Sequence, residues 1–244
     1  MNSEINRVTV SAMLRGYVDR ASLMANMSGF EDACQLVHRH ALHGRIGVHL
    51  NISEGLPLTS RIGKCHRFCD AEGRLRIARP LWHLSRTESA AVESECEAQI
   101  GRIMAKGIVP THLDTHHHMH WQWGIVGPII RMAKRYSIPA VRIFMNCGSK
   151  SLWRHHMYAL FFNSRLQLAR VKGSDFFASA DELIAAVHRV RGAIEVMVHA
   201  RGTLDCITDL EGIELEKKLQ ILTSRLAGKD LRMLSDRLEP AKSG

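Results

Sequence analysis

Hydrophobic and polar residues alternate along this chain in two distinct periods. Apolar, β-branched runs typical of buried strands occupy residues 21–27, 45–51, 108–114, 139–144 and 193–199, and residues 231–234 fit a short last strand. Segments with helical spacing lie between them, at residues 3–18, 28–42, 85–106, 124–136, 150–171, 179–190 and 212–224. Because strands and helices alternate, we predict an α/β protein with a mostly parallel sheet and helices outside it.

Three local features sharpen this outline. Ser85 with Glu88 three residues later predicts a capping box at a helix start, and Gly107 predicts that helix's end. Residues 59–84 carry glycines and many arginines without a clear period, which indicates an irregular excursion over the surface. The helix at 150–171 has an apolar face formed by Trp153, Met157, Leu160, Phe161 and Leu168.

The most informative stretch is residues 110–120, which holds five of the fifteen histidines and Asp114. Four of these histidines follow the apolar run at 108–114, and α/β folds bind ligands beyond the carboxyl ends of their strands. Neutral imidazole is a common ligand of divalent metals, so the pattern predicts a metal site here. A polar, His-rich loop without a metal is the alternative. Because adjacent side chains should diverge, we do not expect His116 and His117 to share one metal.

Two further histidines fall on or near strand ends. His49 lies inside the run at 45–51, and His199 ends the run at 193–199. In a closed barrel the carboxyl ends of parallel strands converge on one face. We therefore expect His49, His116 and His199 to gather on that face. A structural role for each single histidine stays the alternative.

Composition narrows the class of protein. The 244 residues are 45% hydrophobic and 23% charged, and we predict one domain over residues 1–244. The net charge is +9, but the basic residues are dispersed, so no nucleic-acid partner is expected. We predict no membrane span, because no long apolar run exists, and a cytoplasmic location, because no secretory leader is visible. The six scattered cysteines are predicted to be free thiols.

Three motifs, in order, carry a family resemblance. They are Gly-Val-His-Leu-Asn at 47–51 followed by Glu-Gly-Leu-Pro-Leu at 54–58, the stretch at 110–120, and Glu-Val-Met-Val-His at 195–199. Together they resemble the YdjC-like carbohydrate (chitooligosaccharide) deacetylases, a group that includes a hopanoid-biosynthesis-associated branch. The resemblance covers nearly the whole chain.

This resemblance implies an irregular (β/α) barrel of the glycoside hydrolase/deacetylase type. It also implies an enzyme that removes acetyl groups from N-acetylated sugars with a divalent metal, Mg²⁺ first and Zn²⁺ second, and that forms a homodimer. By motif, His49 and His116 would be metal ligands and His199 would line the pocket. There His199 would be the catalytic general acid, or it would hydrogen-bond the substrate without proton transfer. Asp114, Arg142 and His118 would contact substrate. Asp114 could instead replace a missing metal ligand, or hold a ligand histidine by a hydrogen bond, which we favour.

The chain departs from the family pattern at its beginning. Family members start with a strand close to Asn-Ala-Asp-Asp-Phe-Gly, which supplies the metal-binding aspartate, and no such segment occurs here. We therefore expect the first barrel strand to be missing, either because the natural protein begins upstream or because the chain is truncated. Two other functions stay open: a catalytically impaired barrel that binds carbohydrate or a partner, and another metal hydrolase on the same scaffold.

Overall fold

A computed structural model describes residues 2–147, 153–186, 191–209, 212–227 and 231–232. It divides into two compact units: residues 1–7 with 19–141, and residues 8–18 with 142–244. The two sheets that follow are both parallel, so the predicted α/β class is confirmed. The closed barrel and the single domain stay predictions.

The first unit is built around a parallel sheet. Its strands are β1 (Ala21–Leu23), β2 (Ile46–Leu50) and β3 (Leu113–Thr115), in the order β1-β2-β3. The helices are α2 (Phe30–Arg39), α3 (Ser60–Gly63), α4 (Arg86–Met104) and α5 (Trp123–Arg135), with short 3-10 turns at His43–Arg45 and His116–Trp121. Helix α1 (Ser3–Leu14) begins in this unit and continues in the second.

Local sequence signals set the ends of α4 as predicted. The Ser85 side chain accepts a hydrogen bond from the Glu88 amide, and the Glu88 carboxylate accepts one from the Ser85 amide. After the helix, Gly107 adopts a φ of +70°, a left-handed conformation that glycine tolerates best. Helix α4 buries Val92, Cys96 and Ile100.

The second unit contains a smaller parallel sheet of β4 (Phe176–Ser179), β5 (Gly192–Met197) and β8 (Leu231–Arg232). A hairpin of β6 (Arg201–Gly202) and β7 (Ile207–Thr208) is antiparallel. Its helices are α6 (Trp153–Leu168), α7 (Ala180–Ala186) and α8 (Leu215–Leu226). One apolar cluster joins Val8 and Ala12 of α1 to Ile207 and Leu215.

Several strand predictions are wrong in extent. Of the run at 108–114 only Leu113 and Asp114 belong to β3; Pro110 has no amide hydrogen to donate, although the Thr111 amide still donates to the Ile46 carbonyl at 2.9 Å. The run at 139–144 shrinks to a single bridge from Val141 to Leu113. Beyond it, the Phe144 amide donates to the Asn163 side chain at 2.8 Å instead of to a strand. Strand β4 was not predicted, because its short run directly precedes a helix start.

Cysteine usage agrees with the sequence. All six cysteines are free, as predicted. Burial raises the pKa of the Cys34 thiol to about 11, so that thiol stays protonated at neutral pH.

No helix in the described part of the chain is long and apolar enough to cross a membrane.

Candidate metal centre

The sheet of the first unit lines up three polar side chains across its strands. In register, His49 of β2 stands opposite Asp114 of β3, and Ser22 lies on the neighbouring strand β1. The His49 Nδ1 atom lies 2.8 Å from Asp114 Oδ1 and 3.2 Å from Ser22 Oγ. Asp114 is 1% exposed. This places a buried carboxylate directly behind a histidine at the carboxyl end of the sheet.

The Asp114 contact fixes the state of the His49 ring. A carboxylate only accepts hydrogen bonds, so His49 Nδ1 carries the proton and donates it to Asp114. The lone pair is then on Nε2, the atom that would bind a metal. Metal-binding histidines usually have such a carboxylate or carbonyl behind them, because it sets tautomer and ring orientation.

Glycine at position 47 makes room for a second histidine on the same face. A Cβ atom at Gly47 would lie 2.5 Å from the His112 ring, closer than atoms in contact allow. His112 therefore packs directly over the β2 backbone. Its Nδ1 atom lies 2.9 Å from Thr111 Oγ1, a contact that holds the ring in this position.

The loop after β2 is shaped by one buried amide, Asn51. Its side-chain oxygen accepts hydrogen bonds from the Ser53 and Glu54 amides at 3.2 and 3.1 Å, and its Nδ2 donates to the Glu54 carbonyl at 2.8 Å. The Asn51 backbone is held in turn by Gln99 of α4, through bonds of 2.9 and 2.7 Å. Asn51 is 0% exposed. This network places Glu54 toward the histidines.

Glu54 meets His116 at the start of the 3-10 turn. The Glu54 Oε2 atom lies 2.8 Å from His116 Nε2. Desolvation lowers the pKa of His116 to about 4, even though the Glu54 hydrogen bond opposes that shift. The hydrogen bond from His116 lowers the pKa of Glu54. At neutral pH we therefore describe this contact as a neutral imidazole donating to a carboxylate, not as an ion pair.

The expectation that His116 and His117 diverge is wrong. Their ring centroids are 3.7 Å apart. The reason is the backbone: His117 and His118 both have a φ of 51°, a left-handed conformation that turns the chain back on itself. The His117 Nδ1 atom lies 3.0 Å from Ser53 Oγ, and desolvation lowers the pKa of His117.

The other histidines of the stretch have separate surroundings. The His118 ring stacks on Trp121, with centroids 4.0 Å apart and an interplanar angle of 5°. His120 is 0% exposed, and its Nδ1 atom lies 2.6 Å from Thr115 Oγ1. His120 is therefore a buried anchor of the turn, while His118 presents a stacked aromatic surface.

One group of side chains has the spacing of a metal centre. Ligand atoms of Glu54, His116 and His117 all lie within 4.8 Å of one another, the one such group in the described residues. His49 adjoins it, with its ring centroid 5.5 Å from that of His116. Two imidazoles on one tetrahedral ion lie with centroids roughly 5 Å apart, given metal–nitrogen distances of about 2 Å. The His49–His116 pair matches this spacing and Glu54 adds a carboxylate beside it, so these three residues fit a divalent metal, whereas the His116 and His117 centroids lie closer together than that.

Two predicted site residues belong to the second unit. Arg142 donates from Nε to Glu195 Oε1 at 2.6 Å, and its guanidinium lies 4.8 Å from the centre of the Phe177 ring. His199 is exposed two residues beyond β5, and its backbone amide donates to Asp209 Oδ1 at 3.2 Å. Their assigned roles in substrate binding and acid catalysis stay predictions.

The sequence predicted no role for Glu54 or Asn51, and His117 was not expected to share a metal with His116. Glu54 was recognised only as part of a motif. Its position in a loop marked by Gly55 and Pro57, directly after a histidine-bearing strand, was the available signal. His117 had no such signal, because adjacent residues share a site only when the backbone adopts an unusual conformation.

An α/β fold with a histidine and carboxylate cluster at strand ends defines a class of candidate metal hydrolases. The model of the YdjC-like protein family matches residues 1–232. The chain belongs to this family, as its motifs predicted.

Curated relatives extend the comparison. The chain is 30% identical over 198 residues to a carbohydrate deacetylase of Halalkalibacterium halodurans, covering 80% of this chain and 78% of that protein. It is 27% identical over 225 residues to one from Vibrio cholerae, covering 90% and 82%. A third, from Brevibacillus brevis, is 36% identical over 135 residues, or 55% of this chain. The chain spans about half the length of that third relative, 52%.

A crystal structure supports the fold alone. A provisionally named cellobiose-phosphate cleavage protein from Enterococcus faecalis V583 matches with a TM-score of 0.67, at 20% sequence identity. The match covers 97% of this chain and 94% of that one.

Proposed function

We propose that this chain is a carbohydrate deacetylase that hydrolyses the amide of an N-acetylated sugar with the help of a divalent metal. One observation carries the proposal: Glu54, His116 and His117 cluster beside the His49–Asp114 pair at the ends of adjacent parallel strands. The names of the curated relatives support the substrate class. The family resemblance supports a barrel, and the cytoplasmic location stays a prediction.

The residues of the cluster would have two roles, metal binding and orientation of a metal ligand. His116, with Glu54, His117 or His49, would hold the metal, and Asp114 would keep the His49 ring in the required orientation. When bound, such a metal lowers the pKa of a water molecule and polarises the acetyl carbonyl. The low pKa of His116 keeps that ring neutral at physiological pH, which a ligand requires.

The donor set bears on which metal is bound. The resemblance implied Mg²⁺ before Zn²⁺. Mg²⁺ prefers oxygen ligands in octahedral geometry, whereas imidazole suits Zn²⁺ and other transition metals. A group of histidines with one carboxylate therefore favours Zn²⁺ or a similar ion.

The test begins with protein stripped of metal by a chelator and refilled separately with Zn²⁺, Mn²⁺ or Mg²⁺. Acetate release is then measured from chitobiose-type substrates, alongside a panel of other amides. We expect release only in the presence of metal. The His116→Ala variant should lose about 100-fold or more in kcat/KM, because a metal ligand is removed. His66→Ala, an exposed histidine of the same unit, serves as the control.

Each alternative has its own result. Sugar binding without acetate release would favour the catalytically impaired barrel. Release from other amides but not from N-acetylated sugars would favour a different hydrolase. The predicted roles of His199, Arg142 and His118 are tested in the same assay by single alanine variants, reading kcat and KM separately.

A further inference from the structure

Helix α6 in the second unit presents an apolar face to solvent. The sequence predicted an apolar face on this helix, but its large residues are not in the core. The exposed fractions are 71% for Trp153, 43% for Met157, 63% for Leu160, 62% for Phe161 and 85% for Leu168. The buried side of the helix is formed instead by Ala159, Phe162 and Leu166.

These exposed side chains form a stripe along one side of the helix, in which the exposed Ser164 is the one polar residue within the same arc. At about 100° per residue, positions 153, 157, 160, 161 and 168 fall within an arc of roughly 100°. Contiguous apolar surface of this kind on a folded unit marks a site of interaction, whereas single exposed apolar residues do not. We therefore expect another surface to cover this stripe.

The charges around the stripe indicate which occupant fits. Arg154 and Arg165 border it on one side, three turns apart, and Arg170 and Lys172 follow the end of the helix. No aspartate or glutamate occurs between residues 150 and 172. The whole chain carries a net charge of +9. An apolar helix face with a basic border matches a surface that is apolar inside and anionic outside.

We propose that α6 docks on an anionic phospholipid bilayer, with its axis parallel to the membrane surface. Leucine and phenylalanine side chains would enter the boundary between headgroups and acyl chains, and Trp153 would lie at the headgroup level that tryptophan prefers. The arginines would contact lipid phosphates. This inference is independent of the deacetylase activity.

A second copy of the chain is a less suitable occupant. Two such helices packed antiparallel about a two-fold axis would place the basic borders of the two copies on the same side of the interface. Like charges across an interface are unfavourable, and the stripe has no carboxylate to pair with them.

The test is co-sedimentation of the full chain with phosphatidylcholine vesicles, with and without phosphatidylglycerol. We expect binding to the anionic vesicles that weakens as salt rises. The double variant Leu160→Ser/Leu168→Ser should bind at least about tenfold more weakly, because two exposed leucines no longer enter the bilayer. Ile221→Ser, a 48% exposed residue on α8, is the matched control and should bind like wild type.

Two further readouts locate the contact. Arg154→Gln/Arg170→Gln should lower the preference for anionic vesicles by about fivefold per charge. Tryptophan fluorescence should shift to the blue on binding, and Trp153→Phe should remove that shift although three tryptophans remain. Thermal unfolding confirms that each variant is folded.

Three outcomes would overturn the proposal. The first is equal vesicle binding by wild type and the double leucine variant. The second is a blue shift that persists in Trp153→Phe. The third is a dimer, seen by sedimentation without lipid, that the double leucine variant abolishes, since the stripe would then be a protein interface.

Discussion

At the scale of single residues, the candidate centre depends on side chains that hold other side chains. Asp114 orients His49, and Asn51 places Glu54, although neither needs to touch a substrate. Both are almost completely buried. A buried polar group raises the free energy of the folded state unless its hydrogen bonds are made. Asp114 and Asn51 therefore keep their hydrogen bonds and hold His49 and Glu54 in fixed positions.

Removing the Asp114 carboxylate should weaken metal binding. We expect Asp114→Ala to lower Zn²⁺ affinity by about 10- to 100-fold, because the His49 ring loses the acceptor that fixes its tautomer. Affinity is measured by competition with a chromophoric chelator. Glu72→Gln, at an exposed carboxylate of the same unit, should leave affinity unchanged. Wild-type affinity in Asp114→Ala would show that His49 is not a ligand.

His116 should make the metal-free protein sensitive to acid. Burial lowers the pKa of His116 to about 4, below its ordinary value of 6.5. The unfolded chain therefore binds a proton at higher pH than the folded one, so stability falls as pH drops from about 6.5 to about 4. In His116→Gln, the unfolding free energy should depend less steeply on pH in this window. Urea titrations measure it, with His66→Gln as control; identical slopes would refute the burial effect.

At the scale of elements, the site is formed by close approach of β2 and β3 and by the loop that α4 supports. The capping box fixes where α4 begins, and Gln99 on that helix fixes the backbone of Asn51. In the second unit, the buried Lys218 of α8 pairs with Asp209, the residue that also accepts a hydrogen bond from the His199 amide. The Lys218 Nζ atom lies 2.9 Å from Asp209 Oδ2 and 2.6 Å from Asp181 Oδ2.

A methyl group on β2 should disturb the first unit. Gly47→Ala would place its Cβ 2.5 Å from the His112 ring, so the ring or the strand must move. We expect a loss of about 1–3 kcal/mol in the free energy of unfolding. Chemical denaturation measures it, and Gly44→Ala, where an added Cβ meets nothing within 4 Å, is the matched control. Equal stability of both variants would mean that His112 repacks without cost.

Loss of Lys218 should be strongly destabilising. Asp209 is 8% exposed, and Lys218→Met would leave its carboxylate without the ammonium group that compensates it. We expect a loss of about 3–5 kcal/mol, partly recovered in Lys218→Met/Asp209→Asn. Lys217→Met, at the exposed neighbour that pairs with Glu214, should cost far less. Similar losses for both lysines would contradict a buried ion pair.

At the scale of the whole molecule, a bound metal should stabilise the fold. The candidate ligands come from β2, the loop after it and the turn after β3, which are brought together only in the folded chain. Zn²⁺ at 100 times its Kd should add about 2.7 kcal/mol to the unfolding free energy. Calorimetry with and without chelator measures the rise in Tm. His116→Ala should show a much smaller rise; an equal rise would place the metal elsewhere.

The sequence alone determined the alternation of strands and helices, the capping box at Ser85, the family and the position of the histidine stretch. Periodicity and capping act within a few residues, and the motifs are recognised from their order along the chain, so none of these features depends on tertiary contacts. Only the tertiary structure decided that Glu54 and His117 join His116, since that depends on a left-handed backbone and on Asn51 hydrogen bonds. It also decided that the apolar stripe of α6 faces solvent. A helix with two apolar faces does not specify which one the core takes; packing against the rest of its unit does.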